Sequence, residues 1–191
     1  MKICFATNNA HKLQEVQEIL GHRFQILSLK ESGFNGDIPE THDTLEENSL
    51  EKAQFVFDHI QIPVFSDDSG LEIPALNGCP GVDSAHYSGT RDAKANMAKV
   101  LAELSGIEER MGQFRAVITY LDGKHKKQFE GIVSGKIADQ ESGVDGFGYD
   151  PIFIPENSRI TFAEMTAEAK NEISHRKRAV EKLAKFLHSL G

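Results

Sequence analysis

The sequence predicts a mixed α/β fold on three observations. Apolar runs of strand length interleave with amphipathic stretches of helix length along the whole chain, two Thr-x-x-Glu capping boxes mark helix starts, and Asp122-Gly123 joins two long strand-like runs. Lys2 to Thr7 reads as the first strand. A helix follows, with Leu13, Val16, Ile19 and Leu20 on one face and Gly21 as its stop. Phe24 to Leu29 reads as a second strand, and the polar stretch from Lys30 to Asp43 as a loop. It ends at the capping box Thr44-Leu45-Glu46-Glu47, from which a helix runs to about Ile60. Val64-Phe65 and Leu71 to Ile73 are expected as short strands around an acidic turn, Ser66-Asp67-Asp68-Ser69-Gly70.

Residues 74 to 91, with Gly78, Pro80, Gly81 and Gly89, read as a loop before a third helix over Asp92 to Leu104. Phe114 to Leu121 and Lys126 to Ala138 form a hairpin, since Gly123 suits the positive φ of a tight turn. A strand over Pro151 to Ile154 follows the glycine-rich segment Gly143 to Asp150. The second capping box is Thr161-Phe162-Ala163-Glu164, and the closing helix carries Ile173, Val180, Leu183, Ala184 and Leu187 on one face. No repeat, low-complexity tract or linker interrupts this series, so residues 1–191 are expected to form one domain with parallel and antiparallel strand pairs.

Composition narrows the function. The chain has 191 residues, 39% hydrophobic and 26% charged, which suits a full-sized core. Its 21 Lys plus Arg against 29 Asp plus Glu leave a formal charge of −8, which disfavours a nucleic-acid polymer held through its phosphates. Cys4 and Cys79 lack metal-ligand or disulfide spacing and are expected to be reduced and structural. No stretch has the length of a signal peptide or membrane span, so a cytoplasmic protein without membrane association is expected.

Four groups of residues could carry chemistry. Asp67 and Asp68 repel each other, and a cation, a proton or solvent must relieve that repulsion; the alternative is a pair that only caps a turn. Thr7-Asn8-Asn9-Ala10-His11-Lys12 joins a strand to a helix start, where free N–H groups and the helix dipole bind phosphate, unless it is an ordinary Asn-capped helix. His175, Arg176, Lys177 and Arg178 crowd the positive end of the last helix, with Lys170 upstream, an arrangement that suits an anion or a ligand carbonyl better than helix stability. Phe147, Gly148, Tyr149 and Asp150 set aromatic rings between glycines, fit for a nucleobase or for a plain turn against the core. No Walker A loop, dinucleotide fingerprint, His-Glu-x-x-His or Gly-x-Ser-x-Gly is present, so phosphate chemistry would rest on carboxylate-bound metal.

Taken in order, Thr7-Asn8-Asn9 with Lys12 and Glu15, Glu46-Glu47-Asn48 with Lys52, Ser66 to Leu71, Phe147 to Pro151 and Ser174-His175-Arg176 resemble the inosine triphosphate pyrophosphatase family, from residue 2 to about 187. The resemblance implies an elongated mixed β-sheet with flanking helices, two lobes around a central cleft, and a homodimer. It implies hydrolysis of ITP, dITP and XTP to the monophosphate and pyrophosphate with Mg²⁺. Thr7, Asn8, Asn9, Ala10, His11 and Lys12 would hold the triphosphate, and Glu40 and Asp68 would bind Mg²⁺, Asp68 serving also as general base. Asp67 and Lys52 would support that metal and phosphate site, and Ser69 would touch the substrate. Phe147 would stack on the purine, with Gly148, Tyr149, Asp150, Lys170, His175 and Arg176 around the base. Asp83 and His86 stand where bacterial members commonly carry tyrosine and arginine. Maf proteins, of similar fold and acting on modified pyrimidine nucleotides, and a nucleotide-binding regulator without turnover are the alternatives.

Overall fold

A computed structural model of the chain describes residues 1–21 and 23–190; the side chains of Ala10, His11, Gln14 and Glu15 also lie outside the described set. Six strands form one mixed sheet in the order β2-β1-β3-β4-β5-β6. They are β1 (Lys2–Phe5), β2 (Gln25–Leu27), β3 (Val64–Glu72), β4 (Met111–Leu121), β5 (Lys126–Ile137) and β6 (Phe153–Pro155). The helices are α1 (Ala10–Leu20), α2 (Leu45–Ile60), α3 (Ala93–Glu103), α4 (Ala167–Ile173) and α5 (His175–Ser189). No helix among the described residues is long and apolar enough to cross a membrane.

The chain divides into two compact units. The first comprises Met1–Asp68, Ala116–Gly131 and Arg176–Gly191, and the second Ser69–Arg115 and Ile132–His175. In the first, β1 pairs in parallel with β2 (Ile3 opposite Ile26) and with β3 (Phe5 opposite Phe65). Its core joins Ile3, Phe5, Phe65, Ile118 and Tyr120 to Val16 and Leu20 of α1 and to Val180, Leu183 and Leu187 of α5. A second cluster sets Val56 of α2 against Cys4, Val64 and Leu121. The second unit has its own core, Leu71, Val100, Leu104, Phe114, Ile152, Phe153 and Phe162.

Several boundaries differ from the sequence reading, each for a physical reason. The second strand spans three residues instead of Phe24 to Leu29, because β2 is an edge strand whose pairing with β1 covers only Lys2 to Cys4. The acidic segment is not a turn: β3 runs unbroken through Asp67, Asp68 and Gly70. Gly70 serves close approach, since a Cβ there would collide with the Gly81 carbonyl. Pro151, which lacks an N–H, sits in a 3₁₀ turn, Asp150–Ile152, so the strand expected over Pro151 to Ile154 begins at Phe153.

The capping box at Thr161 is present but opens a single turn, Phe162–Glu164. Thr166 then caps α4, and extended backbone at Ser174 separates α4 from α5, so Ile173 belongs to the second core and not to the face of the closing helix. The hairpin holds, with Gly123 at φ 83° and the Asp122 carboxylate accepting from the N–H groups of Lys124 and His125. Cys4 is buried, whereas Cys79 is exposed and not part of a core.

Candidate active site

In the first unit the C-terminal end of β1 pairs in parallel with the first residues of β3, Phe5 opposite Phe65, so the chain leaves β1 close to where Asp67 and Asp68 follow on β3. From β1 the chain turns at Thr7, whose Oγ1 accepts from the Asn9 N–H at 3.1 Å. Asn9 Oδ1 accepts from the Lys12 N–H at 3.2 Å, so the Asn cap exists and leaves Asn8 and Asn9 exposed before α1. Lys12 sends its ammonium to Asp67 on β3, 3.0 Å from Oδ1 and 2.9 Å from Oδ2. Arg176, in the first turn of α5, donates from Nε to the same Oδ2 at 3.3 Å.

Asp67 is 2% exposed and clamped between two cations. Burial pushes its carboxyl up, but Lys12, Arg176 and Lys52 outweigh burial and hold it well below the usual carboxylate range. Burial pulls the Lys12 ammonium below the usual lysine range, opposed by Asp67 and aided by the charges of Arg176 and Lys52.

Asp68 points to the other face of β3, as alternation along a strand requires. It meets Lys52, whose Nζ donates to Asp68 Oδ1 at 2.9 Å and to Glu40 Oε1 at 2.6 Å. Burial raises the Asp68 carboxyl, with Lys52 opposing and Glu40 and Asp67 adding to the rise. Lys52 is held above the usual lysine range: burial alone would lower it, and Asp68, Asp67 and Glu40 reverse that.

Lys52 comes from the buried face of α2, which also carries Asn48, Ser49, Ala53 and Val56. Ser49 donates to Thr119 Oγ1 of β4 at 2.9 Å and lies 3.2 Å from Ser66 Oγ of β3, while Ser66 donates to the Ser49 carbonyl. These buried hydroxyls fix α2 against the strand that carries Asp68. Ser49 and Thr119 were not singled out by sequence reasoning, and Ser66 entered it only as part of the acidic segment. The signal available was a set of polar residues at helical spacing on an otherwise apolar face.

The second unit collects a different set. Phe147 is 65% exposed, and its N–H donates to Asp150 Oδ2 at 2.7 Å. Lys170 of α4 donates to that oxygen at 2.5 Å and stands 4.4 Å from the centre of the Phe147 ring, a cation–π distance. Gly148 has φ 62°, a conformation that suits glycine, and lets the chain turn between the two aromatics. Tyr149 is buried, its hydroxyl donating to the Ser84 carbonyl at 2.9 Å, and burial raises its phenol above the ordinary value. His175 stacks on Phe114, centres 5.0 Å apart and planes 13° apart. Ser69 is half-buried on β3. The two departures from the family pattern pair with each other, His86 Nε2 lying 3.2 Å from Asp83 Oδ1 at the surface.

The structure thus brings Lys12, Asp67 and Arg176 together, and separately Glu40, Lys52 and Asp68. Phe147, Asp150 and Lys170 form a third group. Arg176, read from the sequence as a residue beside the base, is in contact with Asp67. The side chains of Ala10 and His11 lie outside the described residues. Among the described residues no three His, Cys, Asp or Glu side chains cluster as a metal site. The donor chemistry nevertheless fits Mg²⁺, because Glu40 and Asp68 converge on one cation and this ion binds through one or two carboxylates while keeping several waters.

The model of the Ham1 family matches residues 3–186. The dITP/XTP pyrophosphatase of Porphyromonas gingivalis is 50% identical over 188 residues, covering 97% of each chain, and that of Bacillus subtilis is 47% identical over 189 residues, covering 96% of each. Among solved structures, the Staphylococcus aureus Ham1 protein superimposes with a TM-score of 0.94 at 37% identity over 100% of both chains. The Mycobacterium abscessus nucleoside-triphosphatase / dITP/XTP pyrophosphatase does so with a TM-score of 0.82 at 40% identity, covering 96% of this chain and 98% of its own.

Proposed function

This chain belongs to the Ham1 family, and on that basis we propose that it hydrolyses deaminated purine nucleoside triphosphates, ITP, dITP and XTP, to the monophosphate and pyrophosphate. The observation that carries the chemical part is the run of consecutive carboxylates on β3, each held by its own lysine. Residues 1–191 act as one pyrophosphatase domain in this reading, assembled as a homodimer in the cytoplasm.

The triphosphate lies on the Thr7 to Lys12 loop, where the exposed Asn8 and Asn9, the positive end of α1 and the Lys12 ammonium meet its oxygens. Asp67 keeps Lys12 and Arg176 in place. Asp68, raised above an ordinary carboxylate, accepts the proton of the attacking water; a base of higher pKa is the better acceptor at neutral pH. Water oxygen bonds to the α-phosphorus as the bond to the bridging oxygen breaks, and pyrophosphate leaves. Glu40 and Asp68 would hold Mg²⁺, which when bound supplies neutralisation of phosphate charge and a more acidic water.

At the base, Phe147 offers its open face for stacking, and Gly148, Tyr149, Asp150, Lys170 and His175 supply the surrounding wall and polar groups. Donors directed at O6 of the purine find lone pairs on hypoxanthine or xanthine. On adenine they meet a 6-amino group and stay unpaired, at a cost of about 1–3 kcal/mol each. Incubation with dITP, XTP, dATP and dGTP plus Mg²⁺, extended with dTTP and UTP, tests this reading. Fast release of pyrophosphate from dITP and XTP, and slow release from dATP, dTTP and UTP, are expected. Equal turnover of all, or orthophosphate as the product, overturns it.

A further inference from the structure

Lys52 occupies the place to which a divalent cation would be drawn. Its side chain is 7% exposed, and its ammonium spans Glu40 and Asp68 at 2.6 Å and 2.9 Å. Asp67 already holds Lys12 and Arg176, and Glu40 and Asp68 share Lys52, so a cation stands against each of the three carboxylates. A dication approaching Glu40 and Asp68 meets oxygens already engaged by Lys52 and an ammonium a hydrogen-bond length away, which repels it. A triphosphate changes that balance. It brings several negative charges and acceptor oxygens, and the four-carbon lysine stem lets the ammonium turn toward them and release the carboxylates.

We propose that Lys52 is an internal counter-ion that keeps Glu40 and Asp68 from holding a divalent cation until phosphate is present, so that the cation is taken up with the nucleotide or after it. The proposal rests on the pyrophosphatase reading for the identity of the polyanion. It makes Lys52 a positioning residue for the carboxylates in the nucleotide-free protein and assigns an order to binding.

The test is Mn²⁺ binding to nucleotide-free protein, followed by electron paramagnetic resonance of the unbound ion. Lys52→Gln keeps donors for both carboxylates and removes the charge; it is expected to bind Mn²⁺ at least tenfold more tightly than wild type. Lys52→Arg, which keeps the charge, is expected to stay within about threefold of wild type. Adding Asp68→Asn to Lys52→Gln is expected to erase the gain. Equal affinity in wild type and Lys52→Gln overturns the proposal. Should Lys52→Gln not fold, the wild type decides. Water-proton relaxation separates protein-bound Mn²⁺ from Mn²⁺ complexed in solution. Strong enhancement is expected only once inorganic pyrophosphate is added, and strong enhancement with Mn²⁺ alone overturns the proposal. None of these readouts uses turnover, so loss of the counter-ion idea leaves the nucleotide panel standing, and failure of that panel leaves the metal titration interpretable.

Discussion

The two units handle charge in opposite ways. In the first, Asp67 and Asp68 project from one strand, are largely buried, and are held at 2.9–3.3 Å, Asp67 by Lys12 and Arg176 and Asp68 by Lys52. In the second, an exposed phenylalanine on a glycine-bearing turn stands over one buried ion pair, Lys170 with Asp150. Groups that must hold a reacting phosphate to fractions of an ångström gain from rigid elements and locked partners. A ring that must admit a flat base gains from an open face. The contrast implies that substitutions in the first unit should cost turnover or stability, and those in the second should cost mainly substrate affinity.

The largest expected effect separates the neighbouring aspartates. Asp68→Asn removes the proton acceptor and should lower kcat on dITP on the order of 10²–10⁴-fold, with substrate affinity kept within about tenfold and thermal unfolding little changed. Turnover at the wild-type rate in this variant would falsify the role given to Asp68. Asp67→Ala should act differently, because it strands Lys12 and Arg176 without their shared carboxylate. A stability loss of about 3 kcal/mol is expected, read from denaturant midpoints. If Asp67→Ala unfolded at the wild-type midpoint, the clamp would contribute nothing to folding stability.

Phe147→Ala tests the other unit. The ring is exposed, so folding stability should stay within about 0.5 kcal/mol. The loss of stacking, roughly 1 to 2 kcal/mol, should appear as a five- to thirtyfold rise in KM for dITP with kcat nearly retained. A kcat collapse at constant KM would remove the distinction between the units.

Much of this was legible in the sequence, and what was not has a common cause. The first strand and helix, α2 with its Thr44 cap, α3 with its Asp92 cap and the Asp122-Gly123 hairpin follow from local periodicity, capping and turn chemistry. The acidic segment misled because Asp, Ser and Gly are turn residues by propensity. Here pairing with neighbouring strands and the close Gly81 carbonyl keep the chain extended. The basic cluster did mark the start of the closing helix, at His175, but the separate α4 escaped, and only tertiary packing assigns Ile173 and Val180 to different cores. Within the candidate site, the carboxylates, lysines and Arg176 stood out as residue types, but not their partners. That Asp67 takes Lys12 and Arg176 while Asp68 takes Lys52 depends on strand alternation and on contacts between residues far apart in the chain.

The smallest effect belongs to a carboxylate of the first unit that lies in a turn and asks whether locking charge there stabilises without serving chemistry. Asp122 accepts from the Lys124 and His125 N–H groups, and its carboxylate lies 2.9 Å from His125 Nδ1. Burial alone would raise this carboxyl; the bonds from His125, Lys124 and Tyr120 bring it down to about 2. A carboxyl whose folded value lies below its unfolded one stabilises above the unfolded value, near 3.9, and that stability fades as pH falls through about 2. With solvent screening the contribution is about 1 kcal/mol at neutral pH. Asp122→Asn should therefore be less stable than wild type at pH 7 by about that amount, and the difference should shrink between pH 4 and pH 2, read from urea unfolding at each pH. Turnover of dITP at pH 7 should be unchanged. A stability gap that stays constant down to pH 2 would mean that hydrogen-bond geometry at the turn, and not the charge, supplies the stabilisation.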